Sequence, residues 1–288
     1  MRLGGGRESR NVEDRRGMRG GRIVAGGGIG SIVLVVLALL FGVDPSVLLS
    51  GGGPAGSDLQ QRPGMVEGSR AGPAGDAAGR FVARVLAETE DVWNPIFSSL
   101  GRSYEEPRVV LYSGVVQSAC GTAQSAVGPF YCPGDRRVYL DLEQLDQMQR
   151  TLGAEGDFAA AYVIAHEVGH HVQNLLGVLD RGEQIKLRGE ERERNAVQVR
   201  IELQADCLAG LWARRAHEAR NILEAGDIEE GLGAAAAVGD DRLQRRARGT
   251  VMPDAFTHGS SAQRVRWFRT GLESGRLNAC DTFAAERL

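Results

Sequence analysis

Apolar positions between Asp157 and Gly177 recur on several sides of a 3.6-residue repeat: Phe158, Tyr162, Val163, Val168, Val172, Leu175 and Leu176. That pattern predicts a buried helix with Asp157 as its N-cap and Gly177 just past its end. A second helix is expected over Asn195–Glu218, where Leu203, Leu208, Leu211 and Trp212 supply packing surface. From Ala77 an amphipathic helix places Phe81, Val85, Val92, Trp93 and Ile96 along one stripe, and Pro95 is expected to bend or end it. After Gly226, Asp227 and Glu230 have the spacing of a capping box for a short helix through Val238. The charged stretch Asp240–Gly249 reads as a solvated turn or helix end, and a last helix carries Val265, Trp267, Phe268 and Leu272. Two short β-branched or aromatic runs, Val109–Tyr112 and Arg137–Leu140, lie between Gly and Pro residues and predict strands. The fold class is therefore α+β, mostly helical, with a small sheet before the Asp157 helix.

The N-terminal quarter has a different texture. Residues 1–22 form a Gly/Arg-rich segment with Arg2, Arg7, Arg10, Arg15, Arg16, Arg19 and Arg22, predicted to be a disordered tail. Residues 23–43 run for 21 positions without a charge, long enough for one transmembrane helix. No A-x-A site follows Val43, which favours an uncleaved anchor over a signal peptide. The arginines before the span predict a cytoplasmic N-terminus in a single-pass cell membrane protein, with everything after Asp44 extracytoplasmic. Residues 44–76 are rich in Gly, Pro, Ser and Ala and read as a flexible linker, leaving 77–288 as the globular domain.

A formal charge of −3, with Lys186 as the only lysine, gives no footprint for nucleic acid. The four cysteines, Cys120, Cys132, Cys207 and Cys280, all lie in the part expected outside the cytoplasm, so two disulfides are expected. Four cysteines allow three pairings; proximity favours Cys120–Cys132, which leaves Cys207–Cys280.

The candidate chemistry sits on the Asp157 helix, in Ala165-His166-Glu167-Val168-Gly169-His170-His171. His166 and His170 stand one turn apart on one face, a separation from which two imidazoles reach one metal ion. Glu167, about 100° round the helix, stands where a general base for a metal-bound water belongs. This is the H-E-x-x-H pattern of zinc peptidases. His171 is also four residues from Glu167, but using that pair as ligands would leave no carboxylate to activate water, so His171 is assigned a hydrogen bond to a neighbouring loop. On the second helix Glu202 and Asp206 share a face: Glu202 would be the third ligand and Asp206 would accept the free N–H of a liganding imidazole. Taken alone, that pair is better read as an exposed acidic edge. His258, in the loop before the last helix, is a candidate oxyanion stabiliser, with a capping or packing role as the alternative; Tyr162 and Arg264 are weaker candidates of the same kind.

Several separated stretches in order carry a resemblance. Gly128–Leu142 (GPFYCPGDRRVYLDL), Ala165–Gln173 (AHEVGHHVQ), Glu202–Gly210 (ELQADCLAG) and Thr257–Arg264 (THGSSAQR) are similar to the bacterial "putative neutral zinc metallopeptidase" family, of gluzincin type. The resemblance covers residues from about Arg80 onward. It implies a zincin-like domain holding one Zn²⁺ per chain through His166, His170 and Glu202, with Glu167 as base and a peptide or protein as substrate. It also implies that an edge strand of the small sheet aligns extended substrate. A non-catalytic scaffold that keeps the fold and metal for structure is the alternative. Glu167 and a set of only three ligands weigh against it, since structural zinc sites close all four positions.

Overall fold

Three parallel strands form the backbone of the sheet: β1 (Val12–Asp14), β2 (Arg108–Tyr112) and β6 (Arg137–Asp141). A fourth, β5 (Phe130–Cys132), pairs antiparallel with β6, giving the order β1-β2-β6-β5. The register sets Val12 beside Val109 and Val109 beside Val138, so these three buried valines line one face. A separate hairpin, β3 (Val115–Ser118) with β4 (Gly121–Gln124), is tied back to the sheet by the Cys120–Cys132 disulfide. The structure is a computed structural model that describes residues 1–17 and 75–288.

The helices are α1 (Ala77–Ser99), α2 (Leu142–Leu152), α3 (Asp157–Leu175), α4 (Val178–Lys186), α5 (Glu191–Arg220), α6 (Asp227–Ala237), α7 (Asp240–Arg248) and α8 (Ser261–Ser274). One core joins α1, α3, α5 and α8 to the sheet through Trp93, Phe97, Phe158, Tyr162, Trp212 and Phe268. α5 is its spine. Gly169 of α3 presses on it: a Cβ there would lie 3.1 Å from the Ala205 carbonyl oxygen. The crossing with α8 is closer still, since a Cβ on Gly271 would fall 1.8 Å from the Cys207 oxygen and one on Gly210 2.0 Å from the Phe268 oxygen. The Cys207–Cys280 disulfide clamps the segment after α8 to the same stretch of α5.

Several expectations are corrected. α1 continues through Pro95, because the residue sits near the helix end and forfeits only one ladder bond there. Asp157 is the first residue of α3 and Gly156 its cap, whereas Gly177 does take the left-handed conformation beyond the helix (φ 73°). The Asp227/Glu230 capping box does not form: Gly226 precedes α6, while Glu230 accepts the Phe158 backbone N–H and Asp227 that of Glu224. Asp240–Gly249 is the helix α7, with Gly249 left-handed at its end.

The largest correction concerns the N-terminus. Residues 1–17 are an ordered arm and not a disordered tail: Leu3, Ser9, Val12 and Glu13 are buried, and β1 extends the sheet. Local composition misled because the arginines find partners far along the chain. Arg7 bonds Glu90 and Asp91 on α1, Arg16 pairs with Asp14 and Asp76, and Arg137 reaches Glu13. The apolar run 23–43 and most of the linker 44–76 lie outside the described residues. Among the described residues no helix is long and apolar enough to cross a membrane.

Candidate metal centre

α3 and α5 pack with their polar residues turned toward each other at one point. His166 Nε2 lies 3.3 Å, and His170 Nε2 3.6 Å, from Glu202 Oε2. For metal–ligand bonds of about 2.0–2.2 Å, the edges of a tetrahedron are roughly 3.3–3.6 Å, so these three atoms fit three corners of a zinc site. The donor set fits as well: two imidazoles and one carboxylate suit zinc, and no cysteine is free to close the fourth position. His166, Glu167 and Glu202 are almost wholly buried. Burial opposes the charge of Glu202, but the imidazoles of His170 and His166 outweigh it and hold the carboxyl well below its usual range. Burial likewise opposes charge on His166, yet hydrogen bonds to Asp206 and Glu202 raise it to about 9.

Each histidine is oriented by its far nitrogen. His166 Nδ1 donates to Asp206 Oδ1 at 2.9 Å, which assigns Nε2, on the Glu202 side, as the nitrogen that would bind a metal. Asp206 also accepts from Tyr162 at 2.5 Å and from two nitrogens of Arg264 at 2.9 and 2.8 Å. Those contacts, with the His166 bond, keep its carboxyl below the ordinary range despite full burial. His170 Nδ1 donates to Gln173 Oε1 at 2.8 Å, and Gln173 Nε2 in turn donates to Ile201 O and Gln204 Oε1. Gln204 reaches on to the Cys280 carbonyl, so the orientation of His170 is linked to the Cys207–Cys280 clamp. Gln198 donates to Glu202 Oε1 at 2.8 Å, fixing the oxygen that does not face the histidines.

Glu167 is different. Among the described residues nothing donates to its carboxylate, and burial pushes its pKa up against the pull of His170 and His166. It stands beside the three-ligand set as an unengaged base of raised proton affinity. His258 lies at the end of the loop before α8, held by Asp240. That carboxylate, completely buried, accepts the backbone N–H groups of Thr257, His258 and Gly259 at 2.8, 2.6 and 2.9 Å. Its other oxygen is 3.4 Å from His258 Nδ1. Burial works against charge on His258, but Asp240 and the nearby Glu202 outweigh it and raise its pKa.

Most of the expected residues converge here: His166, Glu167, His170, Glu202, Asp206 and, at the margin, His258. Tyr162 and Arg264 are both engaged with Asp206, the partner of His166 Nδ1, and with each other. His171 turns away, donating from Nε2 to the Glu105 carbonyl and accepting from Tyr131 at Nδ1, and burial lowers its pKa to about 4. Three contributors went unnoticed in the sequence: Gln173, Gln198 and Asp240. Gln198 stands four residues before Glu202, a spacing that could have flagged it. Nothing local marks Asp240, whose partners are 17 to 19 residues away.

The chain has relatives among known proteins. The chain is 45% identical over 293 residues to "Uncharacterized protein YpfJ" of Escherichia coli K12, covering 98% of this chain and 99% of that protein. It is 44% identical over 267 residues to "Uncharacterized protein Rv2575" of Mycobacterium tuberculosis H37Rv, covering 87% of this chain and 86% of that one. No solved structure matches. The family described as "Putative neutral zinc metallopeptidase" matches residues 1–283, and the chain belongs to that family.

Proposed function

We propose that the protein is a zinc-dependent peptidase that hydrolyses peptide bonds within peptide or protein substrates. The observation that carries this is the buried Glu167 carboxylate, unengaged among the described residues, beside three convergent ligand atoms. Zinc bound there supplies Lewis-acid activation of a water and of the scissile carbonyl. His166, His170 and Glu202 would hold it, with Asp206, Gln173 and Gln198 fixing their orientation. Glu167 takes a proton from the attacking water and delivers it to the leaving amine, tasks suited to a carboxylate whose pKa burial has raised. His258, backed by Asp240, is a donor suited to the oxygen that gains negative charge during attack.

Among the described strands, β5 is the sheet edge opposite the arm, and it packs on α3 through Tyr131, which bonds His171 and Asn174. Its open edge suits backbone pairing with an extended substrate. Both disulfides favour an oxidising compartment outside the cytoplasm for residues 75–288.

Zinc content and peptide hydrolysis of the purified full chain test the proposal together. Expected are one zinc per wild-type chain, much weaker retention in Glu202→Ala, and full zinc retention but hydrolysis lowered roughly 10²–10⁴-fold in Glu167→Gln. Stoichiometric zinc with no hydrolysis across a diverse peptide library would favour a metal-bearing scaffold. No zinc in the absence of chelators would remove the site itself.

A further inference from the structure

The arm of residues 1–17 crosses the domain from the start of α3 to the far edge of the sheet. Its Met1 nitrogen lies 2.7 Å from Asp157 and 3.4 Å from Asp227, the first residues of α3 and α6. The Arg2 N–H donates to the Ile222 carbonyl, and Leu3 is buried in the main core. Ser9 is fully buried, donating from its backbone to Ala83 O and from its hydroxyl to Glu90. Asn11 bridges Glu90 and Glu106 and accepts the Val109 N–H, and β1 follows in parallel register with β2. Arg15 closes the ladder on Leu111 O. Such an attachment, with a strand, a buried valine and a hydrogen-bonded buried serine, belongs to a domain's interior and not to an accessory tail. The family match agrees, since it begins at residue 1.

The two described stretches, ending at Gly17 and beginning at Gly75, meet where Arg16 binds Asp76 at 2.8 Å. One passage of residues 23–43 through a hydrocarbon layer about 30 Å thick would put that thickness between Arg16 and Asp76. A docked arm and a single membrane crossing exclude each other. We infer that residues 1–17 are a structural part of the catalytic domain and share its side of any membrane.

The inference does not depend on activity or on zinc, and its test reads neither. All four native cysteines are in disulfides, so single cysteines introduced into the full chain can be labelled without background. Arg10→Cys reports on the arm and Gln184→Cys on the domain; both positions are exposed. Intact cells of a bacterial host are treated with a membrane-impermeant maleimide, and a second sample is labelled after lysis. Both sites labelled in intact cells, or both shielded until lysis, is the expected result. One labelled and the other shielded overturns the inference. Docking itself is read from Val12→Asp in the full chain, which should lower the melting temperature by on the order of 10 °C because it buries an unpaired charge. An unchanged melting temperature would likewise overturn it.

Discussion

Asp206 holds two cations apart. One oxygen orients His166, and the pair of them receives the guanidinium of Arg264, which is itself buried. Asp206→Asn keeps the shape but removes the charge, so two effects are expected with separate readouts. Zinc affinity, followed by competition with a chelator, should weaken roughly 10–100-fold, as for other groups that orient a liganding histidine. Stability of the metal-free protein, followed by denaturant unfolding, should fall by about 3–5 kcal/mol because Arg264 is left without its counter-charge. Unchanged zinc affinity would show that Asp206 serves Arg264 alone. At this scale the convergence of the candidate site was legible because its signal is local: His166, Glu167 and His170 lie within five positions, and Glu202 and Asp206 are four apart. The misplacement of Arg264 and Tyr162 has a simple cause. Both are near the metal in sequence pattern, but which side of His166 they occupy depends on how α8 crosses α5, and no spacing encodes that.

That crossing is an element-scale feature with a sign that can be checked. Replacing a helical glycine by alanine ordinarily stabilises by roughly 0.5–1 kcal/mol through lost backbone freedom in the unfolded chain. Gly233 in α6, with nothing within 4 Å of a built Cβ, should follow that rule on thermal unfolding. Gly271→Ala should do the reverse: its methyl would overlap the Cys207 carbonyl at 1.8 Å, so α8 must move off α5, at a cost of about 1–3 kcal/mol or more. Because α8 carries Arg264 and starts just after His258, the same substitution should also weaken zinc retention; a stable Gly271→Ala protein with normal zinc content would mean that the crossing does not set the site. α1, α3, α5, α6 and α8 and the β2 and β6 strands were readable from periodicity, as were both disulfides from spacing and elimination, whereas α2, α4 and α7 were not. Helix ends were less so. Glu230 and Asp227 have capping-box spacing, yet α3 and the turn before α6 claim their carboxylates first. Pro95 was expected to bend or end a helix that instead runs on to Ser99, where its buried face, continued by Phe97, outweighs one missing bond.

For the whole molecule, what the sequence concealed is that its first residues complete a sheet begun about 90 positions later. A Gly/Arg-rich segment looks soluble and unstructured until Glu90, Asp91, Asp76 and Glu13 stand around its arginines. The seam at which the arm ends is partly electrostatic, which makes it sensitive to acid. Hydrogen bonds from the Arg16 side chain hold Asp14 below its ordinary 3.8, and the same guanidinium, with the Gly79 N–H, holds Asp76 below it. A carboxyl whose pKa is lower folded than unfolded binds fewer protons in the folded state, so it stabilises above the unfolded value and that contribution disappears as pH falls through the folded one. The arm clamp is therefore complete above about pH 4 and fails below it, the window set by the 3.8 of the free carboxyl. Wild type should accordingly melt above Asp14→Asn at pH 6, and the gap should close as the pH is taken below that window. Its size will be modest and will shrink with salt, because Asp76 and Asp14 remain partly open to solvent. A gap that persists unchanged into strong acid would mean that the arm is held by Val12, Ser9 and Leu3 alone, and that Arg16 only follows where the strand has already been placed.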